Sequence, residues 1–466
     1  MGHRAARRGE LEVEPVRPTV PLILVAALAA GTLTACGVGS VSHPDTVKVA
    51  YQRNTNSKVR YTDDYLAMVK KEFEKTHRGK KIKLIPIQAS ENDYYAKIQQ
   101  MMRSAKTSPD LVYEDTFLIN SDIKSGYLRP LDDKISTWAD WKRFAPAAKA
   151  ATRAEDGKTY GVQDGTDTRA LWYNKEIFAK AGLPARWQPK TWQDVLDTAR
   201  TIKREVPGVT PFNVYTGKGP GEASVMQTFE MLLYGTGKDP LYDPAAKKWV
   251  TGSKGFRDSL DFVRSVYAEK LGPEISDALD PNVGVRNVSE WLPSGEVAIS
   301  LDGSWLGEYW LPTGGKPWPR WSKVMAQAPF PTQHGQAPGK VSLSGGWAWS
   351  IPAKSTNADL AWQFIETLQS KRNAVEWDIR GAQIAVRDDV AADAKYLKSM
   401  PGIDFFTSLV KYSHFRPALP VYPRVSAAIG EQMENVTTGD SSVAEAARAY
   451  DEQVASITGG AVVSKP

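Results

Sequence analysis

The side chains of this chain that could do chemistry are carboxylates at strand ends and tryptophans beside tight turns. "PDLVYED" (109–115) runs an apolar stretch into Glu114 and Asp115. A pair of carboxylates flanking one bond can hydrolyse a glycoside. Successive side chains on a strand point to opposite faces, so adjacent residues are poorly placed for that task. The five histidines are scattered without HxH or HExxH spacing, and the single cysteine has no partner, so no metal signature is present. No GxSxG elbow or Gly-Lys phosphate loop occurs, and "GTGKDP" (235–240) has the spacing of a turn. No metal and no cofactor are therefore expected. What remains is recognition. A sugar ring offers an apolar C–H face and a belt of hydroxyls, and its site needs aromatic plates beside Asp, Glu, Asn or Arg. Trp305 follows "DGS" and Trp347 follows "SGG", where small residues let the backbone turn sharply and approach a ligand. One such tryptophan would read as core; two in matching turns point to a binding surface. Trp138, Trp141, Trp192 and Trp249 fit ordinary packing.

The elements that must position these residues alternate. "VKVAY" (47–51) is a strand, and "TDDYLAMVKKEFEKTH" is a helix with Tyr65, Met68, Val69 and Phe73 on one face. "KIKLIPIQA" (81–89) is a second strand, "ENDYYAKIQQMMRSA" a helix opened by acidic residues, and 109–115 a third strand. Strand–helix–strand–helix–strand predicts parallel pairing and an α/β fold. Ligands of such sheets sit beyond the carboxyl ends of the strands, which brings Asn54, Glu91, Glu114 and Asp115 towards a site. Further on, "TYGVQD" and "RALWYN" read as strands, and "KTWQDVLDTARTIKREVPG" as a helix capped by Thr191. "EVAISLDGSWLGEYW" and "VSLSGGWAWSIPAKS" each give a strand and a Gly-aromatic turn, and "NADLAWQFIETLQSKRNAVEWDIRG" reads as one long helix.

The amino terminus has a different composition. Arg4, Arg7, Arg8 and Arg17 precede an apolar run from Val20, and "LVAALAAGTLTACGVGS" (24–40) holds the only cysteine. Basic residues, a short apolar stretch and small residues before a cleavage point form a secretory signal over 1–35. Leu33-Thr34-Ala35 before Cys36 resembles a bacterial lipobox, which predicts lipidation of Cys36, a tether over 36–46 and a site on the extracellular face of the cell membrane. Removing 1–35 takes away four arginines and three glutamates and changes the net charge only from +6 to +5. Basic residues are spread along the rest without an arginine-rich block, so no nucleic-acid partner is expected.

These stretches together resemble the extracellular solute-binding proteins of carbohydrate ABC importers, the group that includes maltose-binding protein. "PDLVYED…SGYLRPLDD", "YGVQDGTDTRALWYNKEIFAKAGL", "GEVAISLDGSWL" and "SGGWAWSIPAKSTNADLAWQFIETLQS" carry the likeness in order and spacing, and "GAQIAVRDDV" matches more loosely. The resemblance implies a monomer of two α/β lobes around a cleft. One lobe comprises 47–162 and about 341–385, the other about 163–340 and 386–460, with crossings near Tyr160–Asp164, Val341–Ser344 and Ala385–Asp388. Cleft positions of the family fall on Glu114 or Asp115, Asp167, Trp305 and the Gly346-Trp347 turn, and more loosely on Asn54, Glu91, Glu222 and Arg387. The implied role is capture of a mono- or oligosaccharide for ABC importer permeases, without catalysis. An anchored enzyme acting on polysaccharide and a receptor for a non-sugar solute are the alternatives. "YEDTF" stands where maltose-binding protein has an aromatic, so the sugar itself is not named by the likeness.

Overall fold

The computed structural model describes residues 44–465; the expected signal segment, Cys36 and most of the tether lie outside the described residues. The chain begins β1 (Thr46–Arg53), α1 (Tyr61–Thr76), β2 (Lys81–Gln88), α2 (Glu91–Met102) and β3 (Leu111–Asp115). It continues through β4 (Val162–Gln163), β5 (Arg169–Asn174), α3 (Trp192–Glu205), β6 (Thr210–Asn213), α4 (Lys254–Ala268), β7 (Val297–Gly303), α5 (Leu306–Trp310) and β8 (Met325–Ala328). After them come β9 (Ser342–Ser344), β10 (Trp347–Ser350), α6 (Ala358–Leu368), α7 (Lys371–Arg380), β11 (Ser413–Phe415), α8 (Tyr422–Thr438) and α9 (Val443–Ile457).

Two sheets organise these elements. The first has the order β2-β1-β3-β10-β4, with β1 parallel to β2 and β3, and β10 antiparallel to β3 and β4. Parallel neighbours need a crossover, and α1 and α2 supply it. The second sheet has the order β8-β5-β7-β6, in which only β6 and β7 are parallel. Both sheets are covered on both faces, as period-two side-chain alternation requires. Leu111 and Tyr113 enter one core with α1 and α6, while Val112 enters another with Tyr94 and Ile98 of α2. Likewise Leu171 and Tyr173 of β5 pack against α3, α4, α8 and α9, while Ala170 and Trp172 pack against Trp310 and Phe406. Local signals agree with this packing: Thr191 accepts from the Asp194 amide at 3.1 Å, and Asp194 returns the bond to the Thr191 amide at 3.1 Å, a capping box.

The segment expected as one helix over 357–381 is broken between α6 and α7 by Ser370, whose backbone is extended at ψ 144°. Side chains, two of them from other segments, take the carbonyls that a continuous helix would use. Tyr65 donates to the Leu368 carbonyl at 3.0 Å, Asn373 to that of Thr367 at 2.8 Å, and Arg387 to that of Gln369. Tertiary hydrogen bonds here override the local helical pattern. Ala382 and Ile384 pack in a core of the second sheet, Val386 in the core of the first, and Tyr396 again in a core of the second.

Among the described residues no helix is long and apolar enough to cross a membrane.

Candidate functional site

A cavity of about 380 Å³ opens between the carboxyl ends of the two sheets, within the range of ~300–1,000 Å³ typical of small-molecule sites. Asp115 ends β3 directly opposite Trp347 of β10, so one cross-strand pair puts a carboxylate beside an indole. The Tyr113 ring stacks on Trp347 at 5.1 Å, and Tyr94 and Tyr95 flank it at 5.9 Å each, which fixes the half-buried indole at the cavity wall. Gly346 makes the turn before it at φ +121°, and a Cβ there would lie 2.5 Å from Gln163 Nε2 and from the Gly165 carbonyl oxygen. Only glycine fits that conformation without moving its neighbours.

The second sheet supplies the other wall. Gly303 pairs with Arg169 across β7 and β5, and Trp305 folds back over both. A Cβ on Gly303 would sit 2.0 Å from the indole, and the Arg169 guanidinium lies 4.9 Å from its centroid. The "DGSW" turn therefore holds Trp305 by close approach on one side and a cation–π contact. Arg169 in turn pairs with Asp167, which also accepts from the Gly345 amide at 2.9 Å.

The charged groups are mostly interlocked. Arg416, in the loop after β11, donates to Asp115 at 2.8 Å and to Thr116 at 2.7 Å, and stands 3.5 Å from Glu222. Asp115 also accepts from Tyr95 at 2.6 Å and from the Phe117 amide at 2.8 Å, while Glu222 accepts from Tyr422 at 2.8 Å and from Ser426. Burial raises the Glu222 carboxyl, with Arg416 pulling it back. Arg53 pairs with Asp63 at 2.6 Å. Asn54 donates to the Tyr309 hydroxyl at 2.7 Å and so links the end of β1 to α5. Asp302 accepts from Tyr215 at 2.5 Å and from Asn287 at 3.2 Å; burial pushes its carboxyl up to about 6 against those bonds. Glu91 lines the cavity with its side chain open to water, and loss of hydration beside the neighbouring protein together with the Asp115 charge pushes its carboxyl up. Burial alone pushes Glu308 up to about 8.

Eight of the expected positions thus line the cavity: Asn54, Glu91, Asp115, Asp167, Glu222, Trp305, Gly346 and Trp347. Two expected positions do not. Glu114 follows the alternation of β3 to the opposite face, where it is fully buried beside Asp122 under α2. Arg387 is buried against the first sheet, where it pairs with Asp389 at 2.9 Å and Asp140 at 3.0 Å and closes the helix break at Gln369. Arg416, Asp302, Glu308, Tyr309 and Trp377 line the cavity without having been singled out. Glu308 alone had a usable signal, standing three residues after Trp305 on a helical turn. Two π-helical stretches, Val225–Phe229 and Asn287–Trp291, border the cavity through Met226 and Val288, as such irregular turns often do at sites. Among the described residues no group of three or more His, Cys, Asp or Glu is arranged to hold a metal ion.

The family model for bacterial extracellular solute-binding proteins matches residues 59–375. The chain belongs to this family. It is 25% identical over 316 residues to an uncharacterised ABC transporter extracellular-binding protein of Pyrococcus horikoshii, covering 64% of this chain and 66% of that protein. It is 24% identical over 329 residues to the sn-glycerol-3-phosphate-binding periplasmic protein UgpB of Escherichia coli, covering 66% of this chain and 69% of UgpB. The match therefore spans about two thirds of the length of these relatives. The GacH receptor of Streptomyces glaucescens, solved unliganded and in complex with acarbose, superimposes with a TM-score of 0.74 at 23% identity over 88% of this chain and 98% of that one. That likeness shows a common fold, the two-lobed solute-binding architecture.

Proposed function

We propose that this solute-binding protein captures a mono- or oligosaccharide outside the cell, without altering it, and delivers it to the permeases of an ABC importer. The observation that carries this reading is the pairing of Trp305 and Trp347, on opposite walls of one cavity, with hydrogen-bonding carboxylates and amides between them. That combination suits a ring with apolar faces and a polar edge. A cavity of about 380 Å³ favours a ligand of one or two rings. UgpB is named for a phosphate ester, but each arginine lining this cavity is already held by a carboxylate, which disfavours a phosphate.

In this reading the two sheets are the centres of two lobes, the first built from 47–162 and about 341–385 and the second from about 163–340 and 386–460. Ligand contact with both walls favours their closure by the difference in contacts between open and closed states. Export through 1–35 and a lipid on Cys36 hold a monomer at the extracellular face of the membrane.

The raised carboxyls of Glu91 and Glu308 would also suit a general acid, so turnover is the point to test. Sugars that bind are incubated with the purified protein and followed by mass spectrometry. Recovery of intact ligand is expected; steady hydrolysis lost in Glu91→Gln or Glu308→Gln would place the protein among enzymes.

A further inference from the structure

The buried carboxylates that line the cavity have partners, with one exception. Asp63 holds Arg53 at 2.6 Å, Asp167 holds Arg169, and Asp115 and Glu222 share Arg416 at 2.8 and 3.5 Å. Asp302 accepts from Tyr215 at 2.5 Å and from Asn287 at 3.2 Å. Glu308 differs from all of these. It is 4% exposed, its Oε1 is buried, and among the described residues no hydrogen bond or ion pair reaches the carboxyl. Such a group costs stability, because no donor offsets the water it has lost. Native interiors leave few polar atoms in that state. The carboxyl forms no bond that holds the fold, so its use lies in the cavity.

The position of Glu308 says what would satisfy it. The Glu308 amide bonds to the Trp305 carbonyl at 3.0 Å. Residues three apart share a helix face, and both side chains line the cavity. A sugar ring lying on the indole turns its belt of hydroxyls past the edge of the plate, towards Glu308. An ionised carboxylate has two oxygens and can accept from two neighbouring hydroxyls at once. Bonds of that kind, with a charged acceptor, are stronger than neutral ones. A phosphate or carboxylate brought to the same place adds a like charge instead. The titratable groups that feel Glu308 are the Tyr61 and Tyr309 hydroxyls, each raised first by burial and then by its charge, and neither supplies a cation.

We propose that Glu308 selects the solute at the Trp305 plate: its carboxylate accepts two neighbouring hydroxyls of the ring stacked there, and the protein keeps it unpaired for that purpose at a cost in stability. This rests on the sugar-capture reading and deepens it. Two measurements on the purified full protein test it, and they must move in opposite directions. Without solute, Glu308→Gln should melt about 2 °C or more above the wild type at pH 8. A carboxyl raised by burial binds its proton more tightly in the folded than in the unfolded chain, so that gap should close towards pH 4. In calorimetry with glucose, galactose, mannose, maltose and cellobiose, Glu308→Gln should bind the tightest of these about tenfold or more weakly, as loss of a hydrogen bond to a charged group does. One or two single-deoxy forms of that sugar should bind the wild type about tenfold or more weakly than the parent, and lose no further affinity in Glu308→Gln, because the same bonds are already gone. A Glu308→Gln protein that melts below the wild type at pH 8, or does not fold, overturns the proposal by making the carboxyl structural. Unchanged affinity for the parent sugar, or deoxy losses that persist in full in the variant, overturns it and leaves sugar capture standing. Binding of none of the five sugars overturns both.

Discussion

Replacing Arg416 by methionine removes the cation that joins the end of β3 to the Glu222 turn beside the second sheet. Breaking one partner out of a buried ion pair costs about 3–5 kcal/mol, because the remaining charge is stranded. Asp115 retains the Tyr95 hydroxyl at 2.6 Å and the Phe117 amide at 2.8 Å, and Glu222 retains Tyr422 at 2.8 Å and Ser426. Each orphaned carboxylate thus keeps two donors, which puts the expected loss at the low end, about 3 kcal/mol. The loss depends on pH in a definite direction. Burial holds the native Glu222 carboxyl above its ordinary value and Arg416 restrains it, so the substitution raises it further. A carboxyl raised in the folded state binds its proton more tightly there than in the unfolded chain, so stability falls as pH rises above the ordinary carboxylate range. Wild type and Arg416→Met should therefore differ little near pH 4 and increasingly towards pH 8. Urea unfolding across that range, read by tryptophan fluorescence, measures the gap. Adding Asp115→Asn and Glu222→Gln to Arg416→Met should restore most of the stability, since neutral groups replace the whole charged cluster. A loss below about 1 kcal/mol, or a gap that is flat with pH, would refute the ion-pair reasoning.

Trp305→Ala should weaken binding of the solute by about 2 kcal/mol or more, close to thirtyfold in calorimetry, as removal of a buried aromatic anchor does; unchanged affinity with a large fall in melting temperature would make the indole purely structural. Burial raises Glu114 well above its ordinary value and pushes Asp122 up to about 7, so the wild type should lose stability as pH rises through neutrality. Glu114→Gln should be the more stable protein at pH 8, and thermal melts showing the wild type ahead there would contradict the burial argument. Cys36→Ser should release the protein from cell membranes or leave it unprocessed; a membrane-bound, normally cleaved variant would rule out the lipid.

The sequence carried the signals that act over a few residues. Alternation in 109–115 put Glu114 and Asp115 on opposite faces, and the structure sends Asp115 to the cavity and Glu114 under α2. The "DGSW" and "SGGW" turns were legible because close backbone approach demands glycine at Gly303 and Gly346. Positions set by distant segments were not. Arg416 meets Asp115 across 301 residues, and Tyr215 meets Asp302 across 87, with no local pattern marking either. Arg387 was misplaced for the same reason: its guanidinium is claimed by Asp140, Asp389 and a helix end, none of which adjacent residues announce. The break between α6 and α7 belongs only partly to this class: Tyr65 and Arg387 take the Leu368 and Gln369 carbonyls from other segments, while Asn373 takes that of Thr367 locally.

The most direct measurement of the central claim is calorimetric titration of the purified protein with a panel of mono- and disaccharides, with sn-glycerol 3-phosphate alongside. The account predicts a single saturable site with one sugar bound per chain, weakened by Trp305→Ala, and no binding of the phosphate ester. Saturable binding of sn-glycerol 3-phosphate with no response to any sugar would contradict it.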